Sequence, residues 1–148
     1  MNSLLVGVPD YVVHKLQLIQ NNAARLVVKK KKRDHITPIM KELHWLPIKS
    51  RIKFKICLLT FKALNGSAPA YIASLISRYQ PGRALRSASQ SLLQPKYPNL
   101  INTGGRAFAV CAPQMWNSLP EDLRQCTTLE SFKKNLKTHL FREYYCNC

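Results

Sequence analysis

The stretch PIKSRIKFKICLLTFKAL, residues 47–64, decides the fold class. Ile52, Ile56, Leu59 and Ala63 fall on one line at helical spacing, and Phe54, Leu58 and Phe61 widen it into a face broad enough for a core. Gly66 follows as a stop signal, free to take the left-handed backbone that helix ends favour. The charges on this segment are all basic: Lys49, Arg51, Lys53, Lys55 and Lys62. Its exposed side is therefore expected to be a positive surface.

Working upstream, Val12, Leu16, Ile19, Ala23 and Leu26 recur at alternating steps of four and three, which predicts a helix from about Pro9 to Lys29 with that line inward. Lys15, Asn22, Arg25 and Lys29 occupy the opposite side and lead into Lys30, Lys31, Lys32 and Arg33, the densest charge in the chain. A short helix from about Thr37 to Leu43 follows, with Thr37 as N-cap and Pro38 in the first helical position. Trp45, Leu46 and Pro47 make an apolar elbow into residues 47–64.

Downstream, Tyr71, Ile72, Leu75, Ile76 and Tyr79 predict a fourth helix starting near Pro69 and ended by Pro81 and Gly82. Between residues 83 and 105, serines, Pro95, Pro98, Asn102, Thr103, Gly104 and Gly105 indicate a long irregular connection or a short hairpin, and Arg83 and Arg86 keep it basic. Phe108, Val110, Cys111, Met115 and Trp116 are apolar enough for core, and Pro113 is expected to interrupt or begin a helix. Ser118 to Glu121 reads as a capping box opening a short helix through Leu123, and Thr127 to Glu130 repeats that logic. The last helix then runs from Thr128 to about Tyr144, with Leu129, Phe132, Leu136 and Leu140 inward and Lys133, Lys134, Lys137 and Arg142 outward. The expected architecture is mainly α: one basic domain over residues 1–148, a small bundle of five to six helices. Residues 1–82 supply the N-terminal helices, 83–105 the connection and 106–148 the C-terminal helices.

At 148 residues the chain is long enough to bury a real core. Its 46% hydrophobic and 20% charged residues are those of a folded protein. Twenty-three Lys and Arg against seven Asp and Glu leave a net charge of +16, and so large a positive field favours a polyanionic partner, nucleic acid before an anionic membrane surface. Five irregularly spaced cysteines, three in apolar stretches, point to a reducing intracellular compartment, nuclear or cytoplasmic, and not to secretion. The run from Leu4 to Val8 has no basic segment before it and is broken by Pro9 and Asp10, unlike a signal peptide. No run approaches the roughly 18 apolar residues of a membrane span.

Catalytic chemistry finds no foothold. Two-metal catalysis needs converging carboxylates, yet Asp10, Asp34, Glu42, Glu121, Asp122, Glu130 and Glu143 are scattered; the adjacent Glu121 and Asp122 suit a helix start. His35, His44, His139 and the cysteines lack zinc-ligand spacing, with His139, Cys146 and Cys148 the best metal candidates and a frayed terminus the simpler account. The ending Cys146-Asn147-Cys148 has the shape of a double-prenylation signal but lacks the partner fold that presents such a tail, so it is set aside. Gly104 and Gly105 lack the Lys and Ser or Thr of a phosphate loop. Trp45, Trp116, Tyr71, Tyr79 and Phe108 read as core before base platforms. What remains is basic charge with almost no compensating acid. Arg25, Lys29, Lys30, Lys31, Lys32, Arg33, Lys49, Arg51, Lys53 and Lys55 are the candidate phosphate contacts, and they would hold a backbone without reading its sequence.

The order of motifs adds to this reading. LQLIQNNAARLV (residues 16–27), HITP (35–38), LHWLP (43–47) and RIKFK (51–55) resemble the C-terminal part of reverse transcriptases from LINE-type, non-LTR retrotransposons. KAL (62–64), APAY (68–71), LRS (85–87), GRAF (105–108), APQMWNSLP (112–120) and FKKNLKTHLF (132–141) are similar in order and spacing, so the likeness covers nearly the whole chain. The resemblance implies a region after the polymerase palm, thumb-like and downstream helices that embrace RNA and DNA, with the catalytic aspartates upstream. The expectation is a non-catalytic nucleic-acid-binding segment in a truncated or remnant copy, with no cofactor. Its partners would be an RNA or DNA backbone and an upstream reverse transcriptase domain. The alternative is a structural module that docks on the polymerase core.

Overall fold

The computed structural model describes residues 5–81, 91–97 and 107–146, and within them the protein is mainly helical. Its elements are α1 (Asp10–Val27), α2 (Ile36–Glu42), α3 (Ile48–Leu64), α4 (Ala70–Ala73), α5 (Phe108–Asn117), α6 (Glu121–Arg124) and α7 (Leu129–Tyr145). Seven helices stand among the described residues against an expected five to six, and two of them, α4 and α6, are single turns. Nothing in the described residues needs a second domain: α3 lies at the centre and packs against α5 and α7, with α1 and α4 also against it.

Helices α3 and α7 form where their spacing predicts, with Leu59 and Leu129 of the predicted inward lines only half-buried. Ile52, Ile56, Phe61 and Ala63 of α3 are buried, and Phe132, Leu136 and Leu140 of α7 have no exposed surface. Phe61 stacks on Phe132 with ring centroids 4.4 Å apart, and Trp116 of α5 lies 5.7 Å from Phe132. The Thr128 hydroxyl accepts from Ser131 N at 3.2 Å, so Thr128 rather than Thr127 caps α7.

Helix α1 is turned away from the face its spacing predicts. The buried residues are Val13, Gln20 and Ala24, whereas Ile19 is 64% and Leu26 79% exposed. The burial axis is displaced by about 100°, one residue's worth of helix. The cause is polar. Gln20 Nε2 donates to Leu46 O at 2.9 Å, Ile48 N donates to Gln17 Oε1 at 2.9 Å, and Gln17 Nε2 donates to Asn21 Oδ1 at 2.8 Å. The elbow into α3 exposes backbone groups that must find partners once buried, and the glutamines of α1 supply them.

Other expectations are corrected. Helix α2 begins one residue early, at Ile36, with no side-chain cap, so Thr37 and Pro38 both lie inside its first turn. The fourth helix stops at Ala73 instead of reaching Tyr79, because the chain switches to antiparallel pairing: Tyr79 N donates to Leu92 O and Gln94 N to Ser77 O, both at 2.9 Å, around an Arg78–Leu93 bridge. The expected irregular connection or short hairpin over 83–105 falls largely outside the described residues. Its described part is pinned to α5 by Asn117, whose side chain exchanges two 2.9 Å bonds with the Leu93 backbone, and by Trp116 Nε1, which donates to Ser91 O. Pro113 neither begins nor breaks α5; it is buried in its interior, where it removes one backbone bond from a helix held by tertiary packing. Ser118 does not cap α6. Its hydroxyl donates back to Met115 O, and Pro120 precedes the turn.

Three helix ends close in the same way. After α1, α2 and α3 the next residue but one takes a left-handed backbone, at Lys29 (φ 53°), His44 (φ 52°) and Gly66 (φ 68°). Lys30 N then donates to Arg25 O, Trp45 N to Met40 O and Ser67 N to Lys62 O, the six-to-one bond of the Schellman motif. Only Gly66 takes this conformation without a Cβ penalty. Lys29→Gly is therefore expected to stabilise the fold by about 0.5–1 kcal/mol, after the extra unfolded-state freedom of glycine is subtracted. A lower midpoint in urea unfolding would refute it.

Candidate nucleic-acid interface

The predicted cations separate into three groups. Arg25 is committed locally: its guanidinium donates to Asp34 O through Nε and Nη2 at 3.4 and 3.2 Å, fixing the loop whose turn is also tied by Lys31 N donating to Asp34 Oδ2 at 2.8 Å. Lys49 pairs with Asp10 at 2.8 Å and Lys53 with Glu143 at 3.2 Å. Lys49 and Asp10 are both largely exposed, so salt screens them, and the pairing holds the Asp10 carboxyl below its usual pKa. Lys29, Lys30, Lys31, Lys32 and Arg33 form the second group, exposed together on the loop between α1 and α2.

Arg51 and Lys55 make up the third. They stand one turn apart on α3 and line an open groove of about 650 Å³ with His44, Trp45, Leu46, Phe54 and Lys137. Lys137 comes from α7, and no residue in the sequence signalled that it would meet the α3 cations. No carboxylate is among the groove's described lining. Arg51, Lys55 and Lys137 have no ion-pair or hydrogen-bond partner among the described residues. In chain order the loop cluster precedes α2, and the elbow that gives His44, Trp45 and Leu46 to the groove follows it.

The groove wall is tied to α7 by polar and ring contacts. Tyr145 OH donates to Trp45 O at 2.8 Å, Phe141 lies 4.6 Å from Tyr145, and His44 stacks on Phe141 at 5.7 Å and 19°. Tyr145 is buried with Ala24, Ile39 and Met40, and burial pushes its phenol up to about 12. Of the aromatics read as core, Trp116 is buried and Phe108, Tyr79 and Trp45 are partly so, whereas Tyr71 is 70% exposed.

The two buried thiols are poor nucleophiles. Cys57 is buried against α5, and desolvation pushes its thiol up to about 12; burial also raises Cys111. Among the described residues no three His, Cys, Asp or Glu side chains gather to hold a metal, and no helix is long and apolar enough to cross a membrane. Cys148 and the Gly104–Gly105 pair lie outside the described residues.

His139, beside Lys53 and Glu143, has its pKa lowered, chiefly by burial and further by Lys53, against a raising effect of Glu143. The unfolded chain then binds the proton more readily than the folded one. Stability is thus expected to fall as pH drops below about 6.5, the unperturbed value, until the folded histidine also protonates. Urea midpoints across a pH series should show this slope in the native chain and a shallower one in His139→Gln. Equal slopes would remove the assignment.

No family model, no curated protein and no solved structure matches the chain.

Proposed function

We propose that the protein is a non-catalytic nucleic-acid-binding module, corresponding to the C-terminal segment of a retrotransposon reverse transcriptase. One observation carries the binding reading: Arg51, Lys55 and Lys137 converge from two helices on a groove lined by no described carboxylate. Uncompensated cations release counterions when they meet phosphates, which makes the gain in free energy large and salt-dependent. The exposed Lys29–Arg33 loop that precedes α2 extends the same surface chemistry. The retroelement assignment is supported by the ordered motifs from residue 16 to residue 141.

The test is a salt series with the full chain and a labelled RNA or mixed-sequence duplex. Log K is expected to fall linearly with log salt, with a slope steeper than about −2, the value for three phosphate contacts on a single strand. No retention of either probe at low salt ends the proposal.

A second reading, docking on a polymerase core, is favoured by the outward face of α1. Tyr11 (65% exposed), Leu18 (48%), Ile19 and Leu26 line one side of that helix, more apolar area than a solvated face needs. Under that reading the chain alone self-associates, becomes monodisperse with the upstream domain, and shows no salt-dependent RNA binding.

A further inference from the structure

We infer that the groove takes an unpaired nucleotide of a single-stranded nucleic acid, with a base against Trp45 and Phe54 and flanking phosphates on Arg51, Lys55 and Lys137. The inference rests on the nucleic-acid reading and narrows it to a ligand class. A duplex presents phosphates to a protein surface but keeps its base faces stacked. A cationic surface meant for duplex alone has no use for apolar ring walls, whereas this groove joins an indole and a phenyl to three cations without a described acid. Base stacking on aromatic side chains is the sequence-tolerant device of single-strand grooves.

The dimensions agree. A groove of about 650 Å³ lies within the roughly 300–1,000 Å³ of sites that enclose small organic groups. Arg51 and Lys55, four residues apart on α3, are spaced by about 6 Å along the axis, close to the step between successive phosphates of an extended strand. Lys137 supplies charge from the opposite helix.

His44 joins this wall: at the left-handed position that closes α2, its ring lines the groove and stacks on Phe141 of α7 behind it. Here the ring completes a wall whose other members, Trp45 and Phe54, are only half covered by the fold.

The experiment compares a single-stranded oligouridine, a single-stranded oligodeoxythymidine and a blunt duplex of equal length, binding the full chain. Trp116 is 1% exposed, so quenching of indole emission on adding a strand reads Trp45. Both single strands are expected to quench it and the duplex is not. Trp45→Ala is expected to lose about 5- to 150-fold in single-strand affinity with an unchanged salt slope and unchanged duplex binding, and Trp45→Phe to recover most of it. Because Trp45 also packs on the α1–α2 cluster, Phe54→Ala is measured beside it, and helical circular dichroism confirms that both fold. Salt-dependent binding without quenching, or with equal losses on strand and duplex, overturns this inference and leaves the general reading standing. Absence of binding to all three probes overturns both.

Discussion

Phe132→Ala is expected to cost the fold about 3–5 kcal/mol, the loss seen when a fully buried aromatic ring is cut to a methyl group. Phe132 has no exposed surface, stacks on Phe61 from α3 and tilts against Trp116 from α5, so three helices lose a shared surface at once. The rigid helices around it cannot close the void without moving each other. Against the 5–15 kcal/mol that holds a typical domain, such a loss leaves little margin, and the thermal midpoint is expected to drop by roughly 10 °C or more. Lys134→Ala on the exposed face of the same helix should stay within about 0.5 kcal/mol. Urea unfolding followed by circular dichroism distinguishes the two; a Phe132→Ala loss below about 1 kcal/mol would mean that the α3–α5–α7 junction is not the centre of the core.

The second large effect concerns binding. The triple substitution Arg51→Ala, Lys55→Ala and Lys137→Ala is expected to reduce the magnitude of the salt slope by about 2–3 and lower affinity about a hundredfold near physiological salt. Its control removes the same net charge from three lysines outside the groove. Lys49 faces Asp10, Lys96 donates to Leu75 O at 2.8 Å, and Lys133 pairs with Glu130 at 2.7 Å. Alanine at those three positions is expected to leave the slope near its native value. Equal losses from the two triples would show that only net charge matters and that the groove has no privileged place.

Helices α3 and α7 are legible in the sequence because most of their buried residues belong to the apolar stripe, although in α3 Thr60 is buried while Leu59 is only half-buried. Helix α1 defeats that inference. Its inward side is chosen by backbone groups of the elbow, and Gln20 reaches Leu46 across 26 residues and Gln17 reaches Ile48 across 31. Such partners leave no trace in local periodicity. Residues 71–79 fail for a related reason: their apolar pattern fits a helix, but the amides at Tyr79 and Gln94 find partners across a fold-back. At the interface, Arg51 and Lys55 stood out as cations without nearby acids. Lys137 could be placed only as an outward residue of the last helix, and Trp45 was read as core because an aromatic beside apolar residues usually is.

The buried residues form two separate clusters, a large one built on α3, α5 and α7 and a small one of Ala24, Ile39, Met40 and Tyr145. The smaller cluster joins the first two helices to the last turn of α7 through little apolar surface and the bond from Tyr145 OH to Trp45 O. Such a unit opens at lower free energy than the global transition, so its amides are expected to exchange with solvent deuterium before those of the larger cluster. The elbow at residues 44–46 lies on the seam between the two. A ligand seated there would have to hold the pair closed, and occupancy of the groove would slow exchange in α1 and α2, helices from which no residue lines it.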